Sequence, residues 1–153
     1  MIARRSVLLA AAVLIAALSP AVLEQLGLGA ALRQLVNRFQ RLTLSCEVKL
    51  HISKMGRLPQ QTEVIAYRLV QECFNNIGKH AHATKVNVSL SSTGRQLKLF
   101  VEDNGVGFDV EAAFEKRESF GMSGMRERVA LLGGQFRVES RMEGPKKRTK
   151  ISI

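Results

Sequence analysis

Tyr67-Arg68-Leu69-Val70-Gln71-Glu72-Cys73-Phe74-Asn75-Asn76-Ile77-Gly78-Lys79-His80-Ala81 is the stretch on which the reading of the fold turns. At about 100° per residue, Ala66, Leu69, Val70, Cys73, Phe74, Ile77 and Ala81 fall on one arc of a helix. Arg68, Glu72, Asn75, Asn76, Lys79 and His80 fall on the opposite arc. The apolar arc needs a core to pack on. The polar arc sets Glu72 and Asn76 one turn apart, so that a carboxylate and an amide oxygen point together. Hard oxygens of this kind suit Mg²⁺, whose octahedron waters and substrate phosphates complete, and Lys79 one turn further on can meet those phosphates. Most polar helix faces are merely solvated. The neighbouring segments decide between the two readings.

Outward from this helix the pattern changes period. Pro59 precedes it, and before that Leu44 to Ser53 alternate, with Cys46, Val48, Leu50 and Ile52 on one side and Ser45, Glu47, Lys49 and His51 on the other, as in a half-buried strand. Beyond the helix, Lys85 to Ser91 and Gln96 to Asp103 alternate around a Thr93-Gly94 turn and predict a hairpin. Nearer the N-terminus, Ser19-Pro20 suits the cap and first residue of a helix, Gly27 and Gly29 interrupt it, and Leu32, Leu35, Val36 and Phe39 recur at helical spacing up to Thr43. Downstream, Gly124 to Leu132 has helical spacing, Gly133-Gly134 stops it, and Gln135 to Ser140 and Thr149 to Ile153 are short strands. The expected architecture is an α/β (α+β) two-layer sandwich, a mixed sheet covered on one face by helices. No internal repeat is present.

Two glycine segments give the polar helix face its context. Asp103-Asn104-Gly105-Val106-Gly107-Phe108-Asp109 follows directly on the strand Leu97 to Val101. Gly105 and Gly107 permit positive φ and close backbone approach to a ligand. The Asp103 carboxylate, held beside such a turn, can accept a hydrogen bond from an exocyclic amine such as that of adenine. Gly121-Met122-Ser123-Gly124-Met125 then opens the next helix, offering free N–H groups and the positive helix end to phosphate oxygens, with the Ser123 hydroxyl as a further donor. Neither segment has Walker or Rossmann spacing, and glycine pairs more often mark plain turns.

Composition bounds the partners. With 153 residues, 46% hydrophobic and 24% charged, the chain is one folded domain. Its net charge of +10 favours anionic partners: nucleotide phosphates, nucleic acid or the inner face of a membrane. Aromatics make up 5% and Trp is absent, which supplies base-stacking platforms poorly and disfavours nucleic acid. Cys46 and Cys73 lack metal-ligand spacing and read as buried thiols of a reducing compartment. Residues 1–18 form a separate apolar segment after a basic start. Its apolar run, Val7 to Leu18, is shorter than the roughly 20 residues of a membrane-spanning helix. Two readings stay open: the end of an upstream helix that packs in a homodimer, or a signal or weak membrane anchor.

Taken in order, the three segments resemble the Bergerat-type ATP-binding fold of the GHKL superfamily, which includes histidine kinases, gyrase, a heat-shock chaperone and a mismatch-repair ATPase. The finer resemblance is to nitrate-sensor-like and sugar-phosphate-sensor-like histidine kinases. Leu18 to Leu28 looks like the segment leading into their nucleotide domain, Tyr67 to Ala81 like their N box, and Asp103 to Phe108 and Gly121 to Arg128 like their two glycine boxes. The resemblance covers roughly residues 18–153 and implies a histidine-kinase-like ATPase domain over 19–153. It implies ATP and Mg²⁺ as ligands, with Asn76 on the metal, Asp103 on the adenine amine, and Lys79 and His80 near the phosphates. Gly105, Gly107, Gly121, Met122, Ser123, Gly124 and Thr149 would line the nucleotide, and residues 109 to 120 would form a mobile lid. Glu72 corresponds to the acid that activates water in the superfamily's ATPases and stands as the catalytic candidate.

Two departures shape the functional expectation. The upstream helix bearing the phosphorylated histidine has no counterpart, since His51, His80 and His82 lie inside the nucleotide domain. Glu143-Gly144-Pro145-Lys146-Lys147-Arg148-Thr149 replaces the usual Gly-x-Gly-Thr turn, which leaves phosphate contact through Thr149 open. The resemblance implies a cytoplasmic kinase part, free or at the inner face of the membrane, acting with a His-bearing dimerisation domain and a response regulator. A non-catalytic nucleotide-binding module and a free-standing ATPase remain alternatives.

Overall fold

The computed structural model describes residues 21–94, 96–107, 111, 120–141 and 148–152. Two helices come first, α1 (Ala21–Leu26) and α2 (Leu28–Leu42). They break at Gly27, which adopts φ +83°. A side chain there would also press on Arg57, since a Cβ would lie 3.2 Å from its guanidinium. Gly29, expected to share in the interruption, lies inside α2. The Ser19-Pro20 cap falls outside the described residues. Along α2, Leu28, Ala31, Leu32, Leu35, Val36 and Phe39 are buried, the stripe of a helix with one face on a core.

Strand β1 (Glu47–Ser53) starts three residues later than the alternation suggests, because Leu44 and Ser45 form a turn in which Leu44 is exposed. Helix α3 (Gln60–Asn76) is the crossover that lets β1 pair in parallel with β2 (Lys85–Thr93), Val48 beside Val86 and Leu50 beside Val88. Strand β2 turns at Gly94, φ +60°, into antiparallel β3 (Gln96–Asp103), as the alternation predicts. Helix α4 (Phe120–Leu131) and strands β4 (Arg137–Arg141) and β5 (Arg148–Ser152) follow. The sheet order is β1-β2-β3-β5-β4. Val86, Val88, Leu90, Leu99 and Val101 are buried beneath the helices, whereas Lys85, Asn87, Lys98 and Phe100 are exposed on the other face. The two-layer arrangement with helices on one face is the one the sequence predicts. Among the described residues no helix is long and apolar enough to cross a membrane.

Three local devices fix the site helix and its neighbour. Pro59 has no side chain to cap α3, and Glu63, 2% exposed, replaces it. Its Oε1 accepts the Leu58 N–H at 3.3 Å, and its Oε2 lies 3.4 Å from Arg57 Nη2. A carboxylate in the first turn also complements the helix dipole. At its other end α3 runs into a π-helical turn, Ile77–Ala81, closed by His82 at φ +49°. The polar pattern to His80 is thus helical in extent but not in register, since i→i+5 bonding widens the last turn at the weak helix former Gly78. Helix α4 begins at Phe120, four residues ahead of its apolar period, and ends where Gly133 takes φ +71°. The Gly133 N–H donates to Ala130 O at 2.9 Å and the Gly134 N–H to Val129 O at 3.0 Å, the bond pair of a Schellman stop.

Candidate functional site

The C-terminal end of β3 delivers Asp103 beneath α3. Its carboxylate is 5% exposed, and Oδ1 accepts the Gly105 N–H at 2.8 Å, which fixes the first residues of the turn. Burial raises the Asp103 carboxyl above its ordinary value, the Gly105 N–H opposes that, and Glu102 adds to it. The thiol of Cys73 on α3 is pushed up chiefly by burial and then by the nearby charges of Glu72 and Asp103. That of Cys46 is raised by burial and by Asp103. Both cysteines are free and buried, as their apolar settings predict. Asp103 is thus an electrostatic neighbour of both Cys46 and Cys73, the second of which lies on α3 next to Glu72.

Glu72 and Asn76 are both half-buried, one turn apart on α3. Lys79 is exposed and, with the backbone of His80, lies in the π turn, so neither continues the α-helical row that Glu72 and Asn76 begin. In the sheet, Thr149 pairs with Asp103 between β5 and β3 and with Ser140 between β5 and β4. The last strand therefore brings the backbone of Thr149 alongside that of Asp103 despite the altered loop before it. Helix α4 packs on α3 through its buried residues Met125 and Val129. This sets the N-terminal turn of α4, with Gly121, Met122, half-buried Ser123 and half-buried Gly124, on the same side of the sheet. Among the described residues, a Cβ at Gly124 would meet nothing within 4 Å. Gly124 is the fifth residue of α4, so this space lies beside the helix and not in front of its N-terminus, where the free N–H groups of the first turn stand.

The turn after Asp103 is held by a residue that the motif reading passed over. Asn104 Oδ1 accepts both the Thr84 and Lys85 N–H groups at 2.9 Å, its Nδ2 donates to Thr84 Oγ1 at 2.9 Å, and its own N–H donates to Lys85 O at 3.2 Å. Asn104 thereby staples the start of β2 to the end of β3. The sequence carried no signal for this, because an Asn in a turn commonly bonds local backbone, whereas Asn104 reaches across to the next strand. Of the two glycines in this turn, Gly107 uses its freedom, at φ +73°, while Gly105 serves through its N–H. Asn104→Ala removes the acceptor of two backbone N–H groups and is expected to destabilise the protein by about 2 kcal/mol. Urea unfolding followed by circular dichroism checks this, and an unchanged midpoint would contradict the staple.

Some expected positions lie outside the described residues. These are most of the lid, 109 to 120, and the side chains of His80, Met122 and Thr149. Tyr67 is buried against α1 and α2. Among the described residues no three His, Cys, Asp or Glu groups gather as a metal site. Glu72 and Asn76 suit a metal that takes only one or two protein oxygens and draws the remainder from phosphate and water, which is the habit of Mg²⁺.

Residues 61–153 match the family described as histidine kinase-, DNA gyrase B-, and HSP90-like ATPase. The chain belongs to this family. It is an ATP-binding domain of the histidine-kinase kind. It is 39% identical over 121 residues to the signal transduction histidine-protein kinase/phosphatase DegS of Brevibacillus brevis, covering 78% of this chain and 30% of that protein. With DegS of Bacillus subtilis it is 36% identical over 129 residues, 80% of this chain and 33% of the relative. The chain thus spans about a third of the length of these curated relatives. Among solved structures, the histidine kinase domain of the Erythrobacter litoralis EL346 blue-light activated kinase superposes with a TM-score of 0.61 at 25% identity, over 82% of this chain and 60% of that one.

Proposed function

We propose that this chain is the catalytic ATP-binding part of a two-component sensor histidine kinase. It presents the γ-phosphoryl of Mg·ATP to a histidine on a separate dimerisation domain, from which a response regulator is served. The carrying observation is buried Asp103 at the end of β3, an electrostatic neighbour of Cys73 on α3, with Thr149 in register beside it and α4 packed on α3. In this reading Asp103 accepts the adenine amine and Gly105 and Gly107 let the backbone approach the base. Gly121, Met122, Ser123 and Gly124 offer N–H groups to the phosphates, and Lys79, His80 and Thr149 complete that wall. Glu72 and Asn76 hold the metal side of the nucleotide, Asn76 as a direct ligand. Bound Mg²⁺ neutralises charge on the phosphates, and the chain's own groups supply positioning.

The chain's similarity to proteins named kinase/phosphatase supports this over a plain nucleotide-binding module. Half-buried Glu72 keeps a second reading alive, a free-standing ATPase in which that carboxylate activates water. The nitrate-sensor-like and sugar-phosphate-sensor-like grouping, and a place in the cytoplasm or at the inner face of its membrane, belong to the same proposal. His51 and His82 sit on exposed positions within the domain itself, so the chain alone is expected not to autophosphorylate. Calorimetric titration with ATP, with and without Mg²⁺, tests the metal assignment. Binding is expected to be tightened by Mg²⁺, and Asn76→Ala to remove most of that increment while leaving metal-free binding in place. Equal loss under both conditions would take Asn76 off the metal.

A further inference from the structure

The helices α1 and α2, with Tyr67 of α3, enclose a groove of about 190 Å³. Val22, Ala31 and Leu35 give it an apolar lining, and the exposed residues Gln34 and Arg38 stand at its mouth. Small-molecule sites run to roughly 300–1,000 Å³, so this groove has room for a side chain and not for a cofactor. The charge around it is of one sign. Arg33, Arg38 and Arg41 are exposed on α2, which carries no acid. Among the described residues none of the three pairs with a carboxylate. Exposed Arg68 on α3 adds a further guanidinium, whose Nη1 donates to Gln71 Oε1 at 3.1 Å. Arg38 and Arg68 are both electrostatic neighbours of the Tyr67 phenol, so one guanidinium from each of two packed helices stands near the same groove wall. We infer that this face docks an acidic amphipathic helix of a partner protein, which lays an apolar side chain in the groove and carboxylates on Arg38 and Arg68.

Shape and charge select this occupant. Every residue lining the groove is helical, so it offers no strand edge to an extended peptide, whereas a helix fits the crevice between packed helices by ridges and grooves. The cations of α2 are all arginine, and guanidinium forks match carboxylates bidentately where an ammonium meets them as a point charge. A second copy would bring the same acid-free arginine face against itself, and like charges across an interface repel. A bilayer surface could offer phosphates to the arginines, but burying Val22 and Leu35 from water requires a side chain that protrudes into the recess between them. The inference does not rest on the nucleotide reading, and its test is run without nucleotide.

Tyr67 is the only tyrosine and the chain has no tryptophan, so the emission of the full chain reports on this groove. The probe is a synthetic helical peptide of about 16 residues, near the length at which helices hold in water. It carries one Leu flanked on the same face by Glu at i−4, i−3, i+3 and i+4, and it lacks Tyr and Trp. One control peptide has Gln for every Glu, and another has Ala for the Leu. A saturable change in Tyr67 emission is expected with the Glu peptide, about ten-fold weaker with either control peptide. Arg38→Ala and Arg68→Ala should each weaken it by about as much, with circular dichroism showing the fold retained, while Lys98→Ala on the open sheet face should bind like the wild type. No saturable change, or equal affinity for the Glu and Gln peptides, overturns the inference. Equal weakening by Lys98→Ala also overturns it, by reducing the effect to general charge attraction. Emission unmoved by the peptide, in protein that sediments with anionic phospholipid vesicles through Arg38, would assign the face to lipid. An Arg38-dependent dimer in sedimentation equilibrium would assign it to a second copy, and either result overturns the inference too.

Discussion

Asp103→Asn should weaken ATP binding roughly a hundred-fold and leave the fold intact or more stable. The carboxylate accepts one N–H from Gly105 and in the proposed site a second hydrogen bond from the adenine amine. The amide can keep Gly105 only by turning its carbonyl oxygen to it, which points its own NH₂ at the adenine NH₂. An ionic acceptor is lost and two buried donors face each other, a penalty of about 3 kcal/mol or roughly a hundred-fold in Kd. Stability moves the other way. Burial is the largest influence on this carboxyl and raises it, so the folded state holds the proton more tightly than the unfolded chain does. Folded protein then binds more protons than unfolded protein between the ordinary value of 3.8 and the raised one. Across that window stability falls as pH rises, and at neutral pH the charged Asp103 is a cost to the unliganded fold. Asn carries no such charge, so the variant should melt at or above the wild-type temperature at pH 7, and the difference should vanish below the carboxyl's titration. ATP affinity of the wild type should weaken on acidification at a higher pH than an ordinary Asp would give. Calorimetry and melting across pH 4 to 8, a range of about four units around the titration, check both halves. Retained affinity in Asp103→Asn would remove Asp103 from the adenine.

Such opposition between function and stability explains why parts of the site were legible in sequence and others were not. Asp103, Glu72 and Asn76 stood out because chemistry demanded polar groups at a strand end and on one helix face, and periodicity located both. The glycine stop at Gly133-Gly134 was legible because only glycine takes the left-handed conformation there without strain. Asn104 was hidden by its neighbours: a motif reading assigns ligand duty to Asp103 and Gly105, whereas the residue between them bonds backbone twenty positions away. Glu63 was hidden for a related reason. On the wheel it reads as one more charge in a polar first turn, and only the folded chain shows that the Leu58 N–H and Arg57 converge on it. The π turn could not be read from periods at all, because an apolar stripe records which residues are buried and not whether the backbone ladder has widened beneath it. That widening is what takes Lys79 and His80 out of the row that a continuous wheel had given them.

Phe74→Ala tests the other arc of the same helix and is expected to give the largest stability loss of any single change in it. Phe74 is fully buried, and its ring stacks on Phe39 of α2 with centroids 4.6 Å apart and planes at 26°. The pair joins the two longest helices of the layer, and Gly78 lies against the same Phe39 ring, so the end of the site helix rests on it as well. Truncating a buried Phe costs about 3–5 kcal/mol in lost transfer energy and residual cavity. Set against the roughly 5–15 kcal/mol that hold a domain of this kind together, that is enough to leave the variant marginal or unfolded at 37 °C. Urea unfolding should show a much lower midpoint with an unchanged slope, and ATP binding should fall in step with the folded fraction and return at low temperature. Asp103→Asn, by contrast, should stay folded and bind roughly a hundred-fold more weakly at any temperature. Phe39→Ala should cost a similar amount, and the double variant should cost less than the two singles together, because each single change has already destroyed the shared ring contact. A loss under 1 kcal/mol in Phe74→Ala, or strict additivity in the double variant, would mean that α2 and α3 are held together elsewhere and that the apolar arc is not what fixes the site helix.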